Sequence, residues 1–304
     1  MSGDPRVPND VCRINALPDD MLLLILSYLN ARQVVQTCVL SRQWRNLWRS
    51  VPRINATSDE FEHMSDDYEE DTVLFKKFAN RFLMLRNPFA LEDFRLWYDM
   101  PWESDDYSED ANLWICHALH CNARSIMVTV GDNTMHLDPS VFISGLFLRR
   151  LRLADVALFP GFTALKYLIL HACDISDVEI TSKTLKVLVV DIDCFYTFEE
   201  QCSISIPSLV RLDYSNFQRI PLLKNMKSPE RAYVVLNTFH TEVDDICQFL
   251  KSLSGITDLN FSYMGHMGRS AMVPAGTAAD QRKMITAAQM TAEVAAQAAA
   301  AAAQ

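Results

Sequence analysis

The chain has 304 residues, 49% hydrophobic and 22% charged, which is enough apolar material for a small module and one larger domain with a sizeable core. Its formal net charge of −10 argues against a nucleic-acid binder, because neutralising phosphates calls for a basic surface. The start MSGDPRVPND lacks a positive segment followed by an apolar run, and Met21 to Leu26 is too short and too acid-flanked for a signal or a membrane span. No membrane partner and an intracellular location, in cytoplasm or nucleus, are therefore expected. The eight cysteines are scattered, none in a Cys-x-x-Cys pair, which fits reduced thiols.

Residues 1–12 read as a disordered N-terminus, and three short amphipathic helices follow. Pro18 suits the first turn of a helix, and Asp19 and Asp20 place negative charge at its positive end. Met21, Leu22, Ile25, Leu26 and Leu29 recur on a period of 3.6 and predict one broad buried face. Asn30 is positioned to cap a second helix carrying Val34, Val35, Cys38 and Val39. Ser41 is positioned to cap a third with Trp44, Leu47 and Trp48, and Pro52 stops the run. About forty residues are marginal as a lone core, so this module is expected to need a partner.

The order Ile14, Leu17-Pro18-Asp19, Ile25-Leu26-Ser27-Tyr28-Leu29, Val39-Leu40-Ser41-Arg42, Trp44-Arg45 and Leu47-Trp48 resembles the F-box. The form is that of the plant F-box/leucine-rich-repeat protein family, over about residues 13–54. Two positions depart from its pattern: Asn30-Ala31 replaces the more usual Leu-Pro, and Gln43 stands where a second basic residue is common. The resemblance implies docking onto a Skp-type adaptor and, through it, a cullin and a RING subunit. It implies adaptor contacts drawn from Leu17, Pro18, Asp19, Leu22, Ile25, Leu26, Leu29, Val35, Val39, Leu40, Trp44 and Trp48.

Asp59 to Asp71 and Glu103 to Asp110 are acidic clusters rich enough in like charge to read as solvated loops, and residues 55–88 as an acidic linker with a connecting helix. Cys116, His117, His120 and Cys121 form the one cluster suggestive of metal. On a helix they split into two i, i+4 pairs facing different directions, so no tetrahedral zinc site is expected. Helices are expected over Ala111 to Cys121 and over Val243 to Leu253.

Over residues 89–263 the pattern changes. Leu165 to Ile175 fits the repeat LxxLxLxxCxI, and its short form LxxLxL recurs at Leu91-Phe94-Leu96, Ile126 with Val128, Leu148-Leu151-Leu153, Leu185-Leu188-Val190, Leu209-Leu212-Tyr214 and Ile256-Leu259-Phe261. A degenerate unit is placed around Ala232 to Leu236. Each unit offers a short strand whose leucines point inward, and stacking the units supplies a core that no single unit has. The predicted fold is mixed α and β: a three-helix F-box module, then a short, irregular leucine-rich-repeat solenoid. Residues between the leucines then point out, exposing Arg150, Arg152, Tyr167, Ile169, Val187, Val189, Arg211 and Asp213 as a substrate-binding face of interface-like composition.

Residues 264–304 turn to Gly, Pro and Ala and read as a disordered or partly helical tail. Nothing after Tyr263 resembles the further C-terminal region common in the family, so the repeats are expected to end early or diverge there. No Gly-rich phosphate loop, Gly-x-Ser-x-Gly or His-Glu-x-x-His occurs, and His63, His136, His171, His240 and His266 have no evident partners in sequence. The expectation is a non-enzyme without a cofactor, recruiting an unidentified protein substrate to a Skp, cullin and F-box ubiquitin ligase. A hormone-like small-molecule receptor and a non-degradative scaffold are the alternatives.

Overall fold

The leucines of the repeat pattern come together as two columns inside one parallel sheet. In the computed structural model its strands are β1 (Arg53–Thr57), β2 (Asp93–Tyr98), β3 (Ser125–Val130), β4 (Arg150–Ala154) and β5 (Tyr167–His171). They continue as β6 (Val187–Val190), β7 (Arg211–Asn216), β8 (Arg231–Leu236), β9 (Asp258–Tyr263) and β10 (Ala271–Val273). The first nine lie side by side in chain order, all parallel, and β10 is antiparallel to β9. One column is Ile54, Phe94, Ile126, Leu151, Leu168, Leu188, Leu212, Ala232 and Leu259. The other runs two residues on, from Ala56 and Leu96 to Val234 and Phe261. Every one of these side chains is buried. This is the arrangement that stacked repeats build, since each strand contributes two inward residues and completes its neighbours' core. Parallel sheets are usually covered on both faces and read as unbroken apolar runs. Here apolar and polar residues alternate, so one face is covered and the other is open.

The structure describes residues 13–62, 64–65, 68–99, 107–131, 135–138, 146–154, 156–158, 165–175, 179–191, 194–196, 203–216, 220–227, 229–236, 243–253, 255–263 and 271–273. The expectations for residues 1–12 and for most of the Ala-rich segment lie outside these residues. Helices α1 (Asp19–Leu26) and α2 (Ala31–Gln36) precede the sheet. Helix α3 (Tyr68–Leu85) connects β1 to β2, α4 (Tyr107–His120) connects β2 to β3, and α5 (Val243–Ser252) precedes β9. Among the described residues, the connections along the middle of the sheet carry short strands. Met135–His136, Val156–Leu158, Asp174–Ile175 and Phe195–Tyr196 form one small sheet, and Glu179–Thr181, Ser203–Ser205 and Leu222–Lys224 another.

Three expectations change. The third F-box helix is a 3-10 helix, Trp44–Ser50, because its two buried residues, Trp44 and Leu47, are three apart and stack on that helix's period. Ser41 does not cap it: the helix begins after Gln43, and the buried Ser41 hydroxyl has no hydrogen-bond partner among the described residues. The described parts of the acidic clusters are not solvated loops. Ser58–Phe61 is a 3-10 turn with Phe61 buried, Asp71 is buried and accepts from Ser65 N and Oγ at 2.8 and 3.0 Å, and residues 107–110 are the first turn of α4. Acidic residues suit those positions because a helix N-terminus is electropositive.

The F-box core is continuous with the sheet's core. Residues 53–57, at the boundary between the expected F-box and the expected linker, form the sheet's edge strand β1, paired with β2. Arg32 of α2 donates to Glu60 O and lies 4.9 Å over the Phe61 ring, while Asn55 of β1 donates to Asn30 Oδ1. Behind β2 an aromatic cluster joins the helices to the sheet: the Phe75, Tyr98 and Trp114 rings lie 5.2 to 5.5 Å apart.

Candidate functional site

Helix α1 is apolar on both sides. Leu22 and Leu26 are fully buried, whereas Met21, Leu24, Ile25 and Tyr28 are 48%, 44%, 38% and 74% exposed. The four exposed residues sit at i, i+3, i+4 and i+7, one continuous stripe on the outer side of the helix and the turn after it. A helix apolar all round belongs in an interior, whereas α1 leaves this apolar stripe in solvent. Val39 and Leu40, at the end of the turn Thr37–Val39, are 83% and 64% exposed and extend the apolar surface of the module.

The expected contact residues therefore divide. Pro18, Asp19, Ile25, Val39 and Leu40 are exposed; Leu17, Leu29, Val35 and Trp48 are half-buried against the core; Leu22, Leu26 and Trp44 are core residues. The single buried face expected from Met21, Leu22, Ile25, Leu26 and Leu29 is in fact two faces. Met21, Leu24 and Tyr28 were absent from the expected contact set, yet they carry much of the exposed apolar area. Because every apolar position on α1 looks alike in sequence, periodicity has no contrast with which to separate the two sides.

Polar contacts hold the module in shape. Pro18 precedes the first residue of α1 with an extended ψ of 150°, so its missing N–H costs nothing there. Gln43 Nε2 donates to Asp19 Oδ1 at 2.9 Å and to Leu17 O at 3.1 Å, fastening the 3-10 helix to the start of α1. Trp44 Nε1 donates to Asn15 Oδ1 at 3.0 Å, and Asn30 forms a capping box with Gln33, its N–H donating to Gln33 Oε1 at 3.2 Å.

The second surface is the open face of the sheet. Strand register places Arg150, Tyr167, Val187 and Arg211 in one column and Arg152, Ile169, Val189 and Asp213 in the next, two residues along each strand. The Arg150 guanidinium lies 5.2 Å over the Tyr167 ring, and Arg211 forms a two-pronged pair with Asp213 at 2.6 and 3.0 Å. Trp97 and Tyr233, also exposed, were missed by the sequence reading. The signal for both is the same alternation, since Trp97 follows Leu96 and Tyr233 follows Ala232.

The cysteine and histidine residues of α4 face a different task. His120 Nδ1 donates to Cys116 O at 2.7 Å, and Cys121 Sγ lies 3.6 Å from His117 Nε2. Among the described residues no group of three or more His, Cys, Asp or Glu side chains is placed to hold a metal, and no helix is long and apolar enough to cross a membrane. An open groove of about 510 Å³ runs between α3 and α4, lined by Leu83, Met84, Leu113, Trp114 and His117 among others.

Residues 14–55 match the F-box domain family. An F-box/LRR-repeat protein of Arabidopsis thaliana is 25% identical over 82% of this chain and 70% of its own length, and a putative F-box/LRR-repeat protein of the same plant is 26% identical over 82% of this chain and 60% of its own. An FBD-associated F-box protein of that plant is 35% identical over 42% of this chain, a match that spans 28% of the relative's length. Residues 14–55 are thus an F-box domain, and the chain that carries it is homologous to plant proteins named F-box/LRR-repeat proteins.

Proposed function

We propose that this chain is the substrate-recruiting subunit of a Skp, cullin and F-box ubiquitin ligase. The observation that carries the reading is the outward stripe of α1, Met21, Leu24, Ile25 and Tyr28, with Val39 and Leu40 beside the F-box core. An apolar surface of this kind on an F-box domain is what a Skp-type adaptor would cover, and through the adaptor the chain would reach the cullin and RING subunits. The open face of the sheet, at the other part of the same rigid core, would hold the protein substrate. The chain itself would make and break no bonds. Tethering would raise the effective concentration of a substrate lysine near the charged conjugating enzyme.

Co-expression with a Skp-type adaptor tests the reading. Wild-type chain should co-purify with the adaptor, and Ile25→Asp or the pair Val39→Asp and Leu40→Asp should lose it while remaining folded. Those positions discriminate better than Trp44, because truncating a buried Trp costs about 3–5 kcal/mol and mimics loss of docking by unfolding. Capture that persists in both exposed-residue variants sinks the assignment.

A further inference from the structure

The residue just before each strand's first outward position forms a column of its own, and over four neighbouring strands that column is basic. Arg124, Arg149, Lys166 and Lys186 precede β3, β4, β5 and β6, and all four are exposed. The backbone fixes their alignment. Arg124 O accepts from Arg149 N and Arg150 N, Arg149 O from Lys166 N and Tyr167 N, and Lys166 O from Lys186 N and Val187 N, all at 2.8 to 3.1 Å. The column cannot slip without breaking these pairs.

Beyond both ends the basic run stops. The same position is Glu92 before β2 on one side, and Val210 before β7 and then Glu230 before β8 on the other, and the cations near those ends are paired within the chain: Arg53 with Glu92, Arg231 with Asp258. Arg124, Lys166 and Lys186 enter no ion pair among the described residues. Arg150 and Arg152 of β4 add two exposed cations beside the column. A chain of net charge −10 thus concentrates six cations on one rim of its open face.

We propose that the segment held on the open face is an Asp- and Glu-rich stretch of extended polypeptide lying across β3 to β6 along this rim. The inference rests on the open face being the recruiting surface and adds the chemistry of what it recruits. Spacing favours carboxylates. Adjacent strands are about 4.8 Å apart, so four cations in line span roughly 14 Å, the reach of about four or five extended residues. A phosphate group calls for cations converging on one point, often bidentate arginines, whereas the column Arg124, Arg149, Lys166 and Lys186 is spread over four neighbouring strands, and Arg150 beside it lies over the Tyr167 ring. Ile169, Val187 and Val189, half-buried beside the rim, would take an apolar residue of the same segment.

The test uses the full chain and a fluorescein-labelled peptide of six glutamates around a central leucine, followed by anisotropy. Binding should weaken at least about tenfold in Lys166→Glu with Lys186→Glu, and should stay near wild type in Lys166→Arg with Lys186→Arg. Both pairs are on the surface, so thermal unfolding should be unchanged. Rising salt should weaken the wild-type complex. Equal binding of a six-glutamine peptide, no loss in the charge-reversed variant, or tighter binding of a phosphoserine peptide or a single-stranded oligonucleotide overturns the inference. Proteins captured from cells under proteasome block separate this inference from the reading beneath it. Loss in Ile169→Asp with Val189→Asp but not in the charge-reversed variant sinks the acidic segment alone, whereas retention in both sinks recruitment through this face.

Discussion

Two neighbouring residues of α1 do opposite work. Leu26 is fully buried in the core, and Ile25 faces out. Leu26→Ala should destabilise the fold by about 2–5 kcal/mol through lost burial and the cavity left behind. Ile25→Asp should change stability by no more than about 1 kcal/mol yet abolish adaptor capture, because a carboxylate would have to be desolvated at the contact. Urea unfolding and co-purification on the two variants give the opposite pattern in each assay. Tyr98 makes a different prediction. Its ring is fully buried between Phe75 and Trp114, and its hydroxyl has no partner among the described residues; burial first, and then the charge of Asp110, push its ionisation far up. Removing an unpaired buried hydroxyl relieves its desolvation, so Tyr98→Phe should raise stability by about 1 kcal/mol, seen as a higher urea midpoint at unchanged slope.

At the scale of elements, α4 sets a pH response. Burial first, and then the charges of Arg86 and His120, hold His117 below the ordinary histidine value of 6.5. The folded chain therefore binds the His117 proton less readily than the unfolded chain does. Stability from this group is present above pH 6.5 and is lost as pH falls below it. Between pH 7.5 and 5.5 the thermal midpoint of wild type should drop further than that of His117→Gln; parallel curves would rule the effect out. The elements also differ in how far the sequence announces them. The strands of the repeats were legible because each carries two leucine-type residues two apart, and a period of two also assigns the outward residues, Tyr167 and Arg211 among them. Helix α1 was legible as a helix but not as to its sides. Strand β1, RINAT, escaped notice because its inward residues, Ile54 and Ala56, do not make a leucine pattern, and the short strands such as Met135–His136 are too brief to show any period.

At the scale of the whole molecule, the F-box is not a bead on a linker. Its helices share one buried core with β1 and α3, where Trp48 packs 5.5 Å from Phe82, and Arg86, itself buried, donates to Val51 O at 3.0 Å. Arg32 ties α2 to Glu60 and Phe61. Cutting after residue 54 would strip the module of Ala56, Phe61 and Phe82, and the forty-odd residues left fall below the size at which a core closes on its own. A fragment ending there should show no cooperative melt by circular dichroism, whereas the full chain should melt in one transition reported equally by the Trp44 and Trp114 regions. The consequence for a ligase is mechanical. If the adaptor grips α1 and the substrate lies on the open face, a shared core fixes the distance and angle between them, which a flexible tether would not. Inserting a glycine- and serine-rich spacer between Pro52 and Arg53 should leave adaptor capture measurable when the adaptor is co-expressed, because the adaptor covers the exposed stripe. Ubiquitin transfer to a captured substrate should nonetheless fall several-fold, since orientation is lost while both binding events remain. Undiminished transfer through the spacer would show that proximity suffices and that the rigid connection serves folding alone.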